Sequence, residues 1–360
     1  LGKRGRRRPT RLITRDVPSP AEIPGIDPAG VGRWLSDHVD GATAPFTFER
    51  ITGGRSNLTY TVVAGDGARF IMRRPPLGNV LATAHDMARE HRIISAVHPT
   101  GVPVPEPLGL CCDESVTGAP FYVMSYVEGT VLDGPDKVAS MSHEQRRRSA
   151  EHLVDVLVDL HAVDVDECGL GDLARREGYV ERQLRRWSAQ WESSKTREVP
   201  AVEAVAAALA ADVPEQQAVA IAHGDYRFGN CIVDTANASV EAVLDWELCT
   251  LGDPLADVGY LGVYWGGDDT GPGHPNDPTH EPGFPPYRDV LGRYAERSGL
   301  DVAGIGYYVA FSAWRLAVIS EGVYARYRAG VMGDADPAVV AMFEASTVTL
   351  ADRALAALSA

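Results

Sequence analysis

Two short apolar runs, Cys231-Ile232-Val233 and Ala242-Val243-Leu244, flank a turn-rich stretch over 234–240. Runs this short and this apolar read as buried strands, and their separation predicts a hairpin. Asp245 then sits at the mouth of the second strand. Directly ahead of the first strand lies His223-Gly224-Asp225-Tyr226-Arg227-Phe228-Gly229-Asn230, in which Asp225 and Asn230 stand five positions apart. A loop that curls back over that spacing can aim the two side chains at different groups.

Three oxygen-bearing side chains so placed suit phosphoryl transfer, which asks little covalent chemistry of a protein and much positioning and charge neutralisation. Asp225 is placed to take a proton from an attacking hydroxyl. Asn230 and Asp245 offer the oxygen ligands that Mg²⁺ on ATP requires. Asp-rich turns after strands are common by themselves; the second Asp after a second strand and a glycine-rich segment upstream make the combination specific.

That upstream segment, Gly53-Gly54-Arg55-Ser56-Asn57, lies between two expected strands. Its glycines let backbone N–H groups approach phosphate oxygens, and Ser56 and Asn57 can add donors. Alone a Gly-Gly pair reads as a hairpin turn, but its position one strand ahead of Phe70-Ile71-Met72-Arg73-Arg74 favours phosphate binding.

A chain of 360 residues with 45% hydrophobic content is long enough for two lobes. Strands are expected over 47–51, 58–64, 68–73, 108–112 and 121–127, with one helix over 80–97 among them. Beyond Gly129 the pattern turns helical, with Ser142 and Gln145 forming a capping box for a helix ending at His161. Further helices are expected over 27–39, 178–191, 201–211, 254–264, 287–298, 307–328 and 337–358. The resulting division is a basic tail and lead (1–26), an N-terminal nucleotide-binding lobe (27–127) and a C-terminal catalytic and acceptor-binding lobe (128–360).

The net charge of −15 conceals a basic tail of Lys3, Arg4, Arg6, Arg7, Arg8 and Arg11. The acidic body argues against nucleic acid as the main partner. No apolar stretch approaches membrane-spanning length and no secretory core is present near residue 1, so a cytoplasmic, non-membrane protein is expected. Five cysteines without C-x-x-C spacing are expected to be reduced.

The segments 222–230, Leu244-Asp245-Trp246-Glu247 and Gly252-Asp253-Pro254-Leu255-Ala256-Asp257 together resemble the aminoglycoside phosphotransferase and choline-kinase-like family. With Phe121-Tyr122-Val123-Met124-Ser125-Tyr126-Val127-Glu128-Gly129, the closer resemblance is to the phosphotransferase domain fused to some acyl-CoA dehydrogenase-like proteins. Matching pieces run from about residue 48 to 328. The resemblance implies an α+β, bilobal protein-kinase-like fold, with a small five-stranded antiparallel N-lobe carrying one helix and a larger, mostly helical C-lobe.

It also implies roles. Where the family usually carries a phosphate-pairing lysine this chain has Arg73, with Arg74 beside it, and the two residue types are not interchangeable. Glu90 falls on the apolar face of its helix and needs a cation, which Arg73 could supply. Backbone groups near Ser125 and Val127 would meet the adenine edge, with Met124 against the ring. Asp257 resembles the residue that braces the catalytic loop, and His223 holds that loop rather than transferring protons.

The implied activity is ATP- and Mg²⁺-dependent phosphorylation of a small-molecule hydroxyl. Asp268, Asp269, Asp277 and Glu281 suit an amino-sugar or amino-alcohol acceptor, whereas Arg315, Arg326 and Arg328 suit a hydroxyacyl thioester. A non-catalytic nucleotide-binding protein and a protein serine/threonine kinase are the competing readings. Joint retention of Asp225, Asn230 and Asp245 opposes the first, and missing Asp-Phe-Gly and Ala-Pro-Glu landmarks oppose the second.

Overall fold

The computed structural model describes residues 23–51, 57–77, 86–267, 273–274, 277–331 and 336–359. The basic tail, Gly53, Gly54, Arg55, Ser56, residues 80–85 of the expected helix, Asp268 and Asp269 lie outside the described residues.

Helix α1 (Pro28–His38) starts where Asp27 accepts from Ala29 N at 3.0 Å and proline takes the first turn. Five strands follow: β1 (Thr47–Ile51), β2 (Leu58–Val63), β3 (Arg69–Arg74), β4 (Pro107–Cys111) and β5 (Phe121–Ser125), with α2 (Met87–Val97) between β3 and β4. They form one antiparallel sheet in the order β1-β2-β3-β5-β4. Side chains alternate across a strand, so β3 serves two cores at once. Phe70 and Met72 join Tyr60, Val62 and Val123 against α1, whereas Ile71 joins Tyr122, Met124 and the buried face of α2. The second core is continuous with that of the larger lobe.

The larger lobe comprises β6 (Thr130–Val131), α3 (His143–His161), α4 (Tyr179–Ser194), α5 (Pro200–Ala211), β7 (Ala220–Ala222), β8 (Cys231–Asp234), β9 (Ser239–Val243), β10 (Thr250–Gly252), α6 (Leu255–Tyr264), α7 (Tyr287–Ser298), α8 (Ile305–Arg328) and α9 (Pro337–Leu358). Ser142 and Gln145 complete the expected capping box of α3, with bonds of 3.2 and 2.8 Å. The architecture is the bilobal α+β one expected, a small sheet with one helix beside a mostly helical lobe. Strands β8 and β9 make the hairpin expected between Cys231 and Val243, and β6 adds a third strand to it. Strands β6, β7 and β10 were not expected. At two or three residues each they are too short for a period to register in sequence, and their pairing is decided by the chain around them.

Helix α6 packs across α8 at Gly259, where an added Cβ would lie 2.5 Å from the carbonyl carbon of Tyr308 and 2.6 Å from its Cβ. Backbone cannot swing aside as a flexible side chain can, so the helices would have to separate. Gly259→Ala is expected to lower stability by about 1–3 kcal/mol in urea unfolding, a typical overpacking cost; unchanged stability would show that this contact is not tight.

Candidate active site

Strand β7 delivers the chain into His223-Gly224-Asp225. The buried carboxylate of Asp257, in the first turn of α6, accepts from His223 N at 2.6 Å and Gly224 N at 2.8 Å. His161 of α3 adds a third contact, Nε2 to Asp257 Oδ2 at 3.3 Å, and its Nδ1 lies 2.7 Å from the Tyr294 hydroxyl. Burial would raise the pKa of Asp257, but the His161 contact, the His161 and His223 rings and the Gly224 N–H together hold it below the ordinary carboxylate value. Asp257 thus braces the loop, and His161 is a satisfied core histidine.

Gly224 has φ +85°, and a Cβ there would meet the carbonyl oxygen of Leu248 at 2.8 Å, so the loop requires glycine. His223 is fully buried. Its Nδ1 accepts from Asp225 N at 3.2 Å, which leaves the proton on Nε2 to be donated to Leu244 O at 2.9 Å. The imidazole therefore ties the Asp225 backbone to the end of β9. Trp246 packs against it, with ring centroids 4.8 Å apart.

The mouth of the hairpin closes through Leu244 N, which donates to Asn230 O at 2.8 Å. Asn230 Nδ2 donates to the carbonyl of Asp225 at 2.8 Å, so its amide oxygen is the atom left for a cation. Asp245, one residue past that bond, adopts φ 66°, ψ 64°. Left-handed backbone costs a non-glycine residue about 1–2 kcal/mol, and here it turns the carboxylate toward the small lobe. Arg73 Nη2 donates to Asp245 Oδ1 at 2.9 Å and lies 3.6 Å from Glu90 Oε2.

Strand alternation decides between the two arginines. Arg73 faces the cleft, whereas Arg74 lies on the opposite face and donates to the carbonyls of Gly25 and Thr117. The Arg73–Glu90 pairing differs from expectation in one respect: the nearer carboxylate is Asp245. Glu90 accepts instead from Tyr122 OH at 3.0 Å and Asn57 Nδ2 at 2.9 Å. Burial pushes the Glu90 carboxyl up despite the nearby Arg73 charge. Burial disfavours the Arg73 cation, yet Tyr122, Glu90 and Asp245 together raise its pKa.

A cavity of about 330 Å³ between the lobes is lined by Asn57, Arg73, Met124, Ser125, Val127, Asn230 and Asp245. It collects all the described nucleotide- and metal-side residues singled out from the sequence except Glu90, which stands behind Arg73. Asn57 turns its amide nitrogen to Glu90 and, at 3.4 Å, to Glu247 rather than offering it to the cavity. The N–H of Ser125 is committed to Glu106 O at 2.9 Å, so that backbone donor is taken. Asn230 and Asp245 fit Mg²⁺, which takes one or two protein oxygens and the rest from phosphates and water. Among the described residues no group of three or more His, Cys, Asp or Glu is arranged as a metal site.

On the other side of Asp225 stand Arg227, which the sequence did not single out, and Arg315, which it named on the acceptor side. Arg227 Nε lies 3.3 Å from Asp225 Oδ1 and its guanidinium is 4.9 Å from the Tyr264 ring centroid. Burial, together with the Asp225 charge, pushes the Tyr260 phenol well above its ordinary value. Arg315 of α8, 5% exposed, donates to Gly224 O at 2.6 Å and stacks over Tyr260. A second cavity, of about 200 Å³, opens there between α2, α4 and α8, lined by Arg89, Arg186, Trp187, Glu247 and Arg315 among others. Of the three arginines lining this cavity only Arg315 was named from the sequence; Arg89 and Arg186, on polar helix faces, carried no signal. Tyr308 and Trp314 are core residues, donating to Asp253 Oδ2 and Val202 O. All five cysteines are free, and no described helix is long and apolar enough to cross a membrane.

Comparison with known proteins agrees with this geometry. Residues 47–295 match the model of the phosphotransferase enzyme family. The chain belongs to that family. That family is one of phosphotransferase enzymes. A candidate aminoglycoside phosphotransferase of Ralstonia eutropha, known from a crystal structure, is 32% identical, with a TM-score of 0.78 over 92% of this chain and 98% of that one. Mouse acyl-CoA dehydrogenase family member 10 is 34% identical over 80% of this chain, which spans 27% of that relative. The chain likewise spans under half of the family member 11 proteins it matches. An aminoglycoside phosphotransferase solved with GDP and kanamycin shares the fold at 14% identity, with a TM-score of 0.61 over 89% of this chain and 98% of that one.

The loop after α6 carries one group whose titration can be followed. Asp277 is buried, Oδ1 accepts from Thr279 N at 3.0 Å, and Oδ2 has no hydrogen-bond partner. Burial outweighs the Thr279 bonds and the Arg227 charge and pushes its carboxyl up to about 6 from 3.8. Between those values the folded protein holds a proton that the unfolded chain has lost, so stability falls as pH rises through this window. Asp277→Asn keeps the Thr279 acceptor and removes the charge. It is expected to match the wild type near pH 4 and exceed it by about 1–3 kcal/mol at pH 7 to 8 in urea unfolding; equal stability at both ends would refute the shift.

Proposed function

We propose that the protein transfers the γ-phosphoryl group of Mg-ATP to the hydroxyl of an anionic small molecule, with a hydroxyacyl thioester favoured over an amino-sugar or amino-alcohol. The observation carrying the reaction is the convergence of Arg73, Asn230 and Asp245 on one interlobe cavity with Asp225 on the adjoining loop. ATP would lie in that cavity, its adenine near Met124, Ser125 and Val127 and its phosphates toward Arg73. Asn230 and Asp245 would hold Mg²⁺, which when bound neutralises charge on the phosphates.

Asp225 orients the acceptor hydroxyl and takes its proton as the phosphoryl group is transferred. Its place is kept by His223 through the backbone and by Asp257 one step further back. Arg227, paired with one carboxylate oxygen, fixes the side chain's rotation and leaves the other oxygen for the hydroxyl.

The anionic acceptor is supported by the second cavity, where Arg89, Arg186 and Arg315 converge. Of the carboxylates lining the same cavity, Asp86 caps α2 through Arg89 N, Glu90 faces Tyr122, Asn57 and Arg73, and Glu247 meets Asn57. With those carboxylates engaged by protein partners, the three guanidinium groups are the charges offered to an acceptor in this reading. The names of the acyl-CoA dehydrogenase relatives point toward a thioester as well.

Single-turnover ATP consumption over amino-sugars, amino-alcohols and hydroxyacyl thioesters tests the acceptor class; turnover with amino-sugars alone would overturn it. Asp225→Asn is expected to slow acceptor-dependent turnover by about 10²–10⁴-fold with ATP binding intact. Retained turnover would remove Asp225 from the mechanism. Arg186→Gln, an exposed position on the cavity rim, is expected to raise KM for an anionic acceptor about three- to tenfold with kcat and KM for ATP unchanged; an unchanged acceptor KM would place the acceptor elsewhere.

A further inference from the structure

Arg73 makes unequal use of its guanidinium. Nη2 donates to Asp245 Oδ1 at 2.9 Å and stands 3.6 Å from Glu90 Oε2, while Nε is buried with no hydrogen-bond partner. The side chain is only 10% exposed and lines the interlobe cavity. An orphaned, buried cationic donor beside a cavity is costly unless an anion completes it. Meanwhile its occupied donor holds the one carboxylate that a cation in this cavity would need. Asp245 is thus neutralised from within, at a strained backbone position that turns it toward the arginine.

Glu90 is set beside this pair. Its two oxygens accept from Asn57 and Tyr122, so it stays fixed whether or not Arg73 moves, and its charge keeps a guanidinium favourable at a second position 3.6 Å away. A planar fork can pass between two carboxylates while keeping contact with one of them, which the point charge of a lysine does less well.

We propose that Arg73 is a latch on Asp245. Without nucleotide it holds the Asp245 carboxylate and disfavours a divalent cation there. An incoming phosphate offers the anion that Nε lacks and draws the guanidinium away, so that cation and nucleotide enter together and Asp245 is released only when there is a phosphate to neutralise. This rests on the reading of the cavity as a nucleotide site.

The test uses Mn²⁺ as the probe, with free Mn²⁺ followed by electron paramagnetic resonance on the full chain. Wild-type protein is expected to bind Mn²⁺ weakly alone and at least tenfold more tightly with ADP. Arg73→Met is expected to bind Mn²⁺ without nucleotide at least tenfold more tightly than wild type, and Asp245→Asn in the same background to abolish that gain. No gain in Arg73→Met, or a gain that survives Asp245→Asn, overturns the latch. Should Arg73→Met fail to fold by circular dichroism, Arg73→Gln, which keeps a hydrogen-bonding group without the charge, is judged by the same tenfold criterion. Calorimetric titration of ADP into wild type separates the two readings. Absence of ADP binding overturns the nucleotide site, whereas the nucleotide-free Mn²⁺ comparison decides the latch by itself.

Discussion

The active site hangs on a single buried carboxylate. Asp257 accepts two consecutive backbone N–H groups, from His223 and Gly224, and a third contact from His161. A charge taken out of water is tolerated when its lone pairs are filled by fixed donors, and here the donors come from the catalytic loop itself. The consequence is mechanical: α6, α3 and the loop ahead of Asp225 become one rigid unit. His223 extends that unit to β9 by carrying its proton on Nε2 toward Leu244. Two unrelated stretches of chain, 223–230 and 245–257, are thereby held in register, and every reacting group proposed above lies on or beside them.

The small lobe meets this frame through a shared apolar core and, at the cleft, through charge. Arg73 bridges Asp245 and Glu90, and it is the only described cation lining the interlobe cavity. Its neighbour Arg74, chemically identical, ties the sheet to Gly25 and Thr117 on the far side. One residue of strand register separates a site residue from a structural clasp, because side chains alternate faces with period two.

The acceptor proposed above rests on the second cavity rather than on family membership. The fold is shared with a protein solved with kanamycin, yet in this chain Arg89, Arg186 and Arg315 line the second cavity and Arg227 pairs with Asp225. A fold supplies the phosphoryl-transfer frame, and the helical lobe's side chains choose the acceptor. Arg315 stacks on Tyr260 and Arg227 on Tyr264, contacts that restrict how far either guanidinium can swing.

Much of this was legible in sequence because it is local. The Ser142 capping box, the Cys231–Val243 hairpin, the five strands around one helix, and the spacing of Asp225, Asn230 and Asp245 each depend on residues a few positions apart, and local periodicity and turn chemistry suffice to read them. What only the tertiary structure decided depends on partners far along the chain. Which arginine faces the cleft, that Arg73 stands nearer Asp245 than Glu90, that Asn57 serves Glu90, and that Arg186 and Arg315 share a cavity are all long-range outcomes. A sequence specifies which side chains have charge to satisfy. Only the packed fold, by limiting which opposite charges come within reach in a buried environment, selects the partner.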